Sequence, residues 1–290
     1  MLGRRLSFAA VVFTAFLHKV TARTGKLLDS ASDVVDDVYS GCRQKAMERF
    51  ILSGLLGIEL NSSAEYQKAW RANDQCVTLI NGGTKEHTTA LLTYSNGDRT
   101  FIDTFDNAVE TKGGNVSIYE NQFHFKSLHF LLMDAMMLLK PKTCQTVFVI
   151  QENEGRHSSE QSAIPKKGST VRFGSFTSVT SSFEDLKKDE DLDEQVVLNI
   201  TSCFYFNIGE HICSEDKHAV LLSPAEDFTV EDVLKKSEDD SEYTEVVLKH
   251  LSLNSTHNCF LFSRSPAVVS TLWLVSVLVP SSLLSSFFGM

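Results

Sequence analysis

The chain lacks four features that would point to common soluble activities. Its 27 Lys and Arg residues are outnumbered by 37 Asp and Glu residues, and its net charge is −10. Nucleic acid is therefore not an expected partner, because binding it needs a basic surface that replaces counterions. A glycine-rich phosphate loop and a Gly-x-Ser-x-Gly elbow are also absent. His211, Cys213 and His218 lack zinc-ligand spacing, so no metal is expected.

The C-terminal end lacks charge altogether. No charged residue occurs from Ala267 to Met290, and this run is long enough to cross a bilayer, which takes about 20 residues. No basic flank follows it, and small residues such as Ser263 and Ser265 precede it. This pattern favours a glycosylphosphatidylinositol (GPI) signal, with a plain transmembrane anchor as the alternative.

The N-terminal end has the layout of a secretory signal peptide. A short basic start, Met1–Arg5, precedes the apolar run Leu6–Leu17, and Val20-Thr21-Ala22 offers a cleavage site. Pro/Gly/Ser-rich linkers and internal repeats are absent. We therefore expect a signal peptide at 1–22, one folded domain at 23–265, and an anchor or anchor signal at 266–290. The domain would lie at the cell surface or be secreted.

Other sequence features agree with an extracytoplasmic domain. N-glycosylation sequons begin at Asn61, Asn115, Asn199 and Asn254. The six cysteines allow 15 complete pairings in an oxidising compartment, and their spacing does not choose among them.

Apolar spacing predicts helices first and strands later, which indicates an α+β domain. Helical stripes cover 45–60, 65–73 and 123–140, and Pro141 ends the last of them. The two acidic stretches 184–194 and 231–245 are predicted to be solvated loops or loop–helix segments. Short runs rich in β-branched and aromatic residues predict strands at 147–150, 171–176, 203–208, 220–222, 246–251 and 259–262.

Several segments, in order, resemble the vertebrate ecto-mono-ADP-ribosyltransferase family. The matching segments are Asp36-Asp37-Val38-Tyr39-Ser40-Gly41-Cys42, the helix from Phe123 to Leu132, the strand from Val171 to Ser178, and Val220-Leu221-Leu222-Ser223-Pro224-Ala225-Glu226-Asp227-Phe228. The resemblance spans about Asp36 to Phe262. It implies N-terminal helices packed on two roughly perpendicular β-sheets, with NAD in the cleft between them.

The resemblance also implies two disulfides, Cys42–Cys259 and Cys144–Cys203. It does not decide whether Cys76 and Cys213 pair with each other or whether one of them is free. A bridge of this kind adds about 2–4 kcal/mol by constraining the unfolded chain.

The family reaction transfers ADP-ribose from NAD to a protein arginine through an oxocarbenium-like cation. By resemblance, an arginine holds the phosphates, a serine positions the nicotinamide ribose, and a Glu-x-Glu pair stabilises the cation and prepares the acceptor. Ser178 retains the serine, and Thr180 lies in the same motif. Val149 stands at the arginine position, while Lys217 and Ala219 stand at the glutamates.

These replacements predict that the activity is lost or strongly reduced, since valine offers phosphates no charge and no donor. A binding or regulatory role is the expected consequence. The alternative is an active NAD–protein-arginine ADP-ribosyltransferase that uses other catalytic positions. Glu215 is a weak substitute, because four residues of extended strand place it about 13 Å from Ala219.

Overall fold

A computed structural model describes residues 25–28, 31–76, 78–151, 164–213, 216–238 and 241–263. The predicted signal peptide, the C-terminal tail from Arg264 onward and Glu215 therefore lie outside the described residues. Helices dominate the first half. They are α1 Arg43–Ala46, continued by a π-helical segment Met47–Leu52, then α2 Leu55–Ser62, α3 Ala64–Asn73, α4 Lys85–Asn96, α5 Arg99–Thr111, α6 Val116–Gln122, α7 Lys126–Leu138, α8 Phe183–Asp189 and α9 Ile208–His211.

Strands dominate the second half and join into one mixed sheet. They are β1 Leu27–Leu28, β2 Gln145–Ile150, β3 Thr170–Phe173, β4 Thr177–Thr180, β5 Val196–Ser202, β6 Tyr205–Asn207, β7 Ala219–Leu222, β8 Glu226–Glu238 and β9 Ser241–Leu253. Their order is β1-β3-β8-β9-β5-β2-β4-β7-β6. Neighbours are antiparallel except β5 and β9, which are parallel.

The hydrogen-bonded sheet folds back on itself, so its two ends form the layers of a sandwich. One core cluster joins Val171, Phe173 and Phe228 from the β1-β3-β8 end to Val149 and Val220 from the β2-β4-β7-β6 end. The long hairpin β8–β9 links the two layers. The predicted α+β architecture with helices packed on sheet layers is confirmed.

The predicted helix at 123–140 is confirmed in its central part. It is α7, whose residues from Lys126 to Met136 are all buried. The stripe at 45–60 is helical but not continuous. Gly54 at φ +87° separates the π-helical segment from α2, and only glycine adopts this left-handed backbone without strain.

Two strand-level predictions are wrong. The acidic stretch 231–245 is no loop, because it forms the outer part of the β8–β9 hairpin. Thr244, Val246 and Leu248 are buried at period two, Glu245 alternates with them, and Glu242 is exposed near the end of the hairpin. Residues 259–262 form a turn, in which the amides of Phe262 and Ser263 donate to the carbonyl of Cys259.

The Asp36–Cys42 segment fastens the two ends of the domain together. The Asp36 carboxylate accepts from the Arg172 guanidinium at 2.9 Å, the Thr256 amide at 2.9 Å and the His257 amide at 3.0 Å. Asp37 accepts from the amides of Cys259 at 2.8 Å and Phe260 at 3.2 Å. We call this network, Asp36 and Asp37 with Arg172 and residues 254–260, the aspartate latch.

The two latch aspartates have pKa values shifted in opposite directions. Burial would raise the pKa of Asp36, but hydrogen bonds from His257, Thr256 and Arg172 lower it to about 2. Burial raises the pKa of Asp37 to about 6, and three backbone amides oppose this shift only in part.

All six cysteines are paired. Cys42–Cys259 and Cys144–Cys203 are confirmed, with Cα–Cα distances of 5.9 Å and 4.1 Å. The remaining pair, left open by the sequence, is Cys76–Cys213 at 5.9 Å. This third bridge ties the loop that precedes β7 to the helical part.

Candidate functional site

Three neighbouring strands bring most of the predicted site residues to one place. In the order β2-β4-β7, Phe148 pairs with Thr180, and Thr180 pairs with Ala219. Ser178 lies two residues from Thr180 and therefore on the same face of the sheet. Ser178, Thr180 and Ala219 are all half-buried. We call Phe148, Ser178, Thr180 and Ala219 the cleft row.

Val149 does not join the cleft row. Its side chain is fully buried in the apolar core between the layers, together with Val179 and Val220. These residues alternate with the cleft row along their strands, so they point to the opposite face. On β2, the residue aligned with Thr180 is Phe148.

The cleft row is open in its middle and covered at one side. Phe183, at the start of α8, packs on Phe148 with ring centroids 5.2 Å apart. On the other side Leu221 belongs to the core under the helices. Between them, the Ser178 hydroxyl makes no hydrogen bond to any described residue. The Thr180 hydroxyl already has a partner close in sequence, because it accepts a hydrogen bond from the Ser182 amide at 3.1 Å.

Lys217 lies just before β7 and is exposed. Within the described parts of the chain it has no hydrogen bond or ion pair. Its neighbour His218 is fixed instead, since its carbonyl accepts from the Ser181 amide at 3.0 Å. The His218 ring lies 3.3 Å from the Ser181 hydroxyl and 3.6 Å from the Asp185 carboxylate. Sequence reasoning did not find this surface cluster, because its members come from separate elements.

The loop before β7 is tightly constrained. A side chain at Gly209 would collide with the backbone of Asp216 and Lys217, so only glycine fits there. The Cys76–Cys213 bridge holds the same loop. These constraints fix where β7 begins and hence where Ala219 lies.

None of the four cleft-row residues carries a carboxylate, and two acidic residues of neighbouring elements are engaged or distant. A hydrogen bond from Ser182 lowers the pKa of Asp185, which also contacts Lys188 and His218. Glu245 is on β9, four strands from β7, and thus about 19 Å away at about 4.8 Å per strand.

Metal-ligating clusters, and arginines that could hold the phosphates of NAD, are equally scarce near the cleft row among the described residues. Among the described residues, no three His, Cys, Asp or Glu side chains are grouped to hold a metal ion. Arg156 lies outside the described residues. The buried Arg172 is engaged by Asp36 and Asp227 at 2.9 and 2.8 Å, in the aspartate latch rather than the cleft row.

Known proteins share both the sequence pattern and the fold. The family described as NAD:arginine ADP-ribosyltransferase matches residues 28–256. T-cell ecto-ADP-ribosyltransferase 2 of Rattus norvegicus is 30% identical over 277 residues, covering 92% of each chain. NAD(P)(+)–arginine ADP-ribosyltransferase 1 of Gallus gallus is 26% identical over 246 residues, covering 81% of this chain and 73% of the relative.

Solved structures agree with these relatives. The eukaryotic mono-ADP-ribosyltransferase ART2.2, a point mutant in complex with NADH, overlaps with a TM-score of 0.59 at 26% identity. The overlap covers 80% of this chain and 97% of that one. Another ART2.2 mutant, in complex with NAD, overlaps with a TM-score of 0.58 at 25% identity, covering 79% and 96%.

Proposed function

The chain belongs to the NAD:arginine ADP-ribosyltransferase family, and we propose that it is a surface member which has lost most or all transfer of ADP-ribose from NAD to protein arginine. Its remaining role would be binding or regulation. The observation that carries this proposal is Ala219, whose methyl group lies in the cleft row beside Thr180, where the family resemblance expects a carboxylate.

The missing carboxylate matters because the reaction passes through a cation. One preorganised charged or hydrogen-bonding group contributes about 2.7–4 kcal/mol, or a factor of about 10²–10³ in rate. Ala219 contributes none of this, and Lys217 adds a positive charge where the acceptor guanidinium would approach. Both changes act against transfer to arginine.

The grip on the dinucleotide phosphates is weakened as well. Neither Val149, in the core, nor Phe148, in the cleft row, carries charge or a side-chain donor. The open Ser178 hydroxyl is the one family group that this row keeps. It could still contact the nicotinamide ribose of NAD, so weak NAD binding without transfer is the expected remnant of the family activity.

The test is transfer of labelled ADP-ribose from NAD to an arginine-rich acceptor by the purified full chain. The chicken NAD(P)(+)–arginine ADP-ribosyltransferase 1, expressed in the same way, serves as the reference. We expect no acceptor labelling above that of heat-denatured protein. Labelling that disappears in Ser178→Ala but persists in Ser175→Ala would establish the alternative, an active enzyme with other catalytic positions.

We further propose that the chain is held at the cell surface by a GPI lipid, which replaces the hydrophobic tail Ala267–Met290 in the mature protein. Relatives named ecto-ADP-ribosyltransferases are consistent with a surface location. Within the described residues, no helix is both long and apolar enough to span a membrane. Phosphatidylinositol-specific phospholipase C should release the chain from expressing cells. Retention after treatment would favour a transmembrane anchor.

A further inference from the structure

The segment from Ile51 to Leu60 exposes two large apolar side chains. Leu52 is 74% exposed and Ile58 is 66% exposed, the two most exposed of the large apolar side chains in the described part. Ile51, Leu55, Leu56 and Leu60 lie beside them, partly buried and packed against the helical core. We call these six side chains the α2 face.

The only charged residue of this segment points inward. Glu59 is 5% exposed, and its carboxylate accepts from the amides of Lys126 and Ser127 at 2.9 Å each. It therefore caps the N-terminus of α7, where unpaired amides favour a negative group. Surface helices of soluble domains normally place charged groups on the outer side, where this segment has Leu52 and Ile58. Exposed apolar patches of this kind mark interaction surfaces.

The chain leaves the described domain next to this face. Phe262 packs on Phe50 with ring centroids 5.6 Å apart, and the Arg49 guanidinium lies 6.0 Å from the Phe262 centroid. Ser263 is the last described residue, and the uncharged run begins at Ala267. Four residue steps span at most about 14 Å. Any attachment of the tail to a membrane thus brings the α2 face within reach of that membrane.

We propose that the α2 face is a lipid-contacting surface that lies against the outer leaflet of the bilayer. Leu52 and Ile58 would enter the boundary between headgroups and acyl chains, as the apolar side of an interfacial helix does. The exposed Lys45 and Arg49, just N-terminal to the face, would meet the headgroup phosphates. The site of exit at Ser263 favours lipid over a protein partner. The inference rests in part on the proposed membrane anchor, which would hold the α2 face near the bilayer. It does not depend on whether the transferase activity is lost.

The experiment uses the full chain in phosphatidylcholine vesicles that contain a diazirine-bearing phosphatidylcholine. After irradiation and digestion, mass spectrometry measures lipid adducts per peptide. Leu79 and Leu251, which are 59% and 52% exposed, serve as matched solitary leucines elsewhere on the domain. We expect several-fold more adduct on Ile51–Leu60 than on either control peptide. Leu52→Ser with Ile58→Ser should reduce it to the control level.

Failure of the anchor and failure of the α2 face are distinguishable. The chain is used with its tail still attached, since GPI processing would remove residues 267–290, and adducts on those residues report membrane insertion of the tail alone. If the tail is not labelled, the same chain mixed with excess vesicles must still label preferentially at Ile51–Leu60. Adducts spread evenly over the three leucine peptides, or unchanged in the double variant, would overturn the proposal. So would labelling that arises only in Asn61→Gln, because a glycan on the exposed Asn61 would then be what covers this face.

Discussion

The aspartate latch and the cleft row are two polar regions of the same domain, and they differ sharply in how completely their polar groups are partnered. In the latch, Asp36, Asp37 and Arg172 are buried and joined to residues 254–260 by hydrogen bonds. In the cleft row, Ser178 has no described partner and Ala219 has no polar group. The latch is fully partnered, as a region that maintains the fold must be, whereas the cleft row is where we propose that the family's chemical groups have been replaced.

This contrast follows from what each region has to do. A buried charge without its partner costs stability in every molecule, so the latch residues constrain one another. The cleft row is half-open, and replacing a carboxylate there by a methyl leaves no buried charge. Catalytic groups can therefore be lost from such a surface while the domain still folds.

The largest expected effect distinguishes the two faces of β2. Val149→Arg would place a guanidinium in the apolar core between the layers and should abolish secretion of folded protein. Phe148→Arg would place the same group in the half-open cleft row, at a cost of about 1–2 kcal/mol. Secretion yield and denaturant unfolding measure the difference. Equal yields from the two variants would show that Val149 does not face the core.

The next effect concerns the latch itself. Asp36→Ala leaves Arg172 and His257 without their shared partner and should lower the free energy of unfolding by about 3–5 kcal/mol. Asp33→Ala, three residues earlier and exposed, should change it by less than about 0.5 kcal/mol. Urea titration with the disulfides intact measures both. A similar loss in the two variants would mean that Asp36 has no special role.

A disulfide, rather than buried polar groups, should stabilise the loop beside the cleft row. Replacing Cys76 and Cys213 together by serine should cost about 2–4 kcal/mol. Amide hydrogen exchange should quicken most in residues 208–213. An exchange rate there that stays at the wild-type value would show that the close contact at Gly209 is sufficient to hold the loop.

The smallest effect is a pH dependence in which the two latch aspartates act in opposite directions. Asp37 has a folded pKa of about 6, above its usual 3.8, so its contribution is complete below about pH 3.8 and is lost as the pH rises through 6. This amounts to about 2–3 kcal/mol. Asp36, with a folded pKa of about 2, contributes above pH 3.8 and loses that contribution as the pH falls through 2.

The contribution of Asp37 is measured from the free energy of unfolding of the wild type and of Asp37→Asn between pH 4 and 7.5. We expect the variant to be less stable at pH 4 but to have a flatter pH profile. Parallel profiles for the two proteins would show that Asp37 does not titrate in this range.

The α+β class could be predicted from the sequence because the apolar residues of its main helix repeat clearly at helical spacing. The buried helix α7 has apolar residues at helical spacing, and Pro141 follows it. Helix α5 was missed although Phe101, Phe105 and Val109 repeat at four-residue steps and the Asp98 side chain caps its start. Helix α4 is harder to find, because its buried face includes His87, Thr88 and Thr93, which a hydrophobic pattern does not register.

Candidate site residues could be predicted only as far as local motifs reach. Ser178, Thr180 and Ala219 lie on the adjacent strands β4 and β7, and their assignment to the site stays a prediction. The position of Val149 in the inner core depends on the pairing of Phe148 with Thr180, which is a tertiary property of the sheet. The Cys76–Cys213 pair likewise depends on a contact between residues 137 positions apart.

The most direct test of the account is to restore the missing groups to the cleft row. A variant with Phe148→Arg, Lys217→Glu and Ala219→Glu is compared with wild type for transfer of labelled ADP-ribose to an arginine-rich acceptor. Thr146→Glu, a carboxylate placed on the same sheet face of β2 two residues from Phe148 and outside every sequon, is the matched control. The account predicts transfer by the restored variant, no transfer by wild type or the control, and loss of transfer on adding Ser178→Ala. Equal activity of wild type and the restored variant, whether both transfer or neither does, would contradict it.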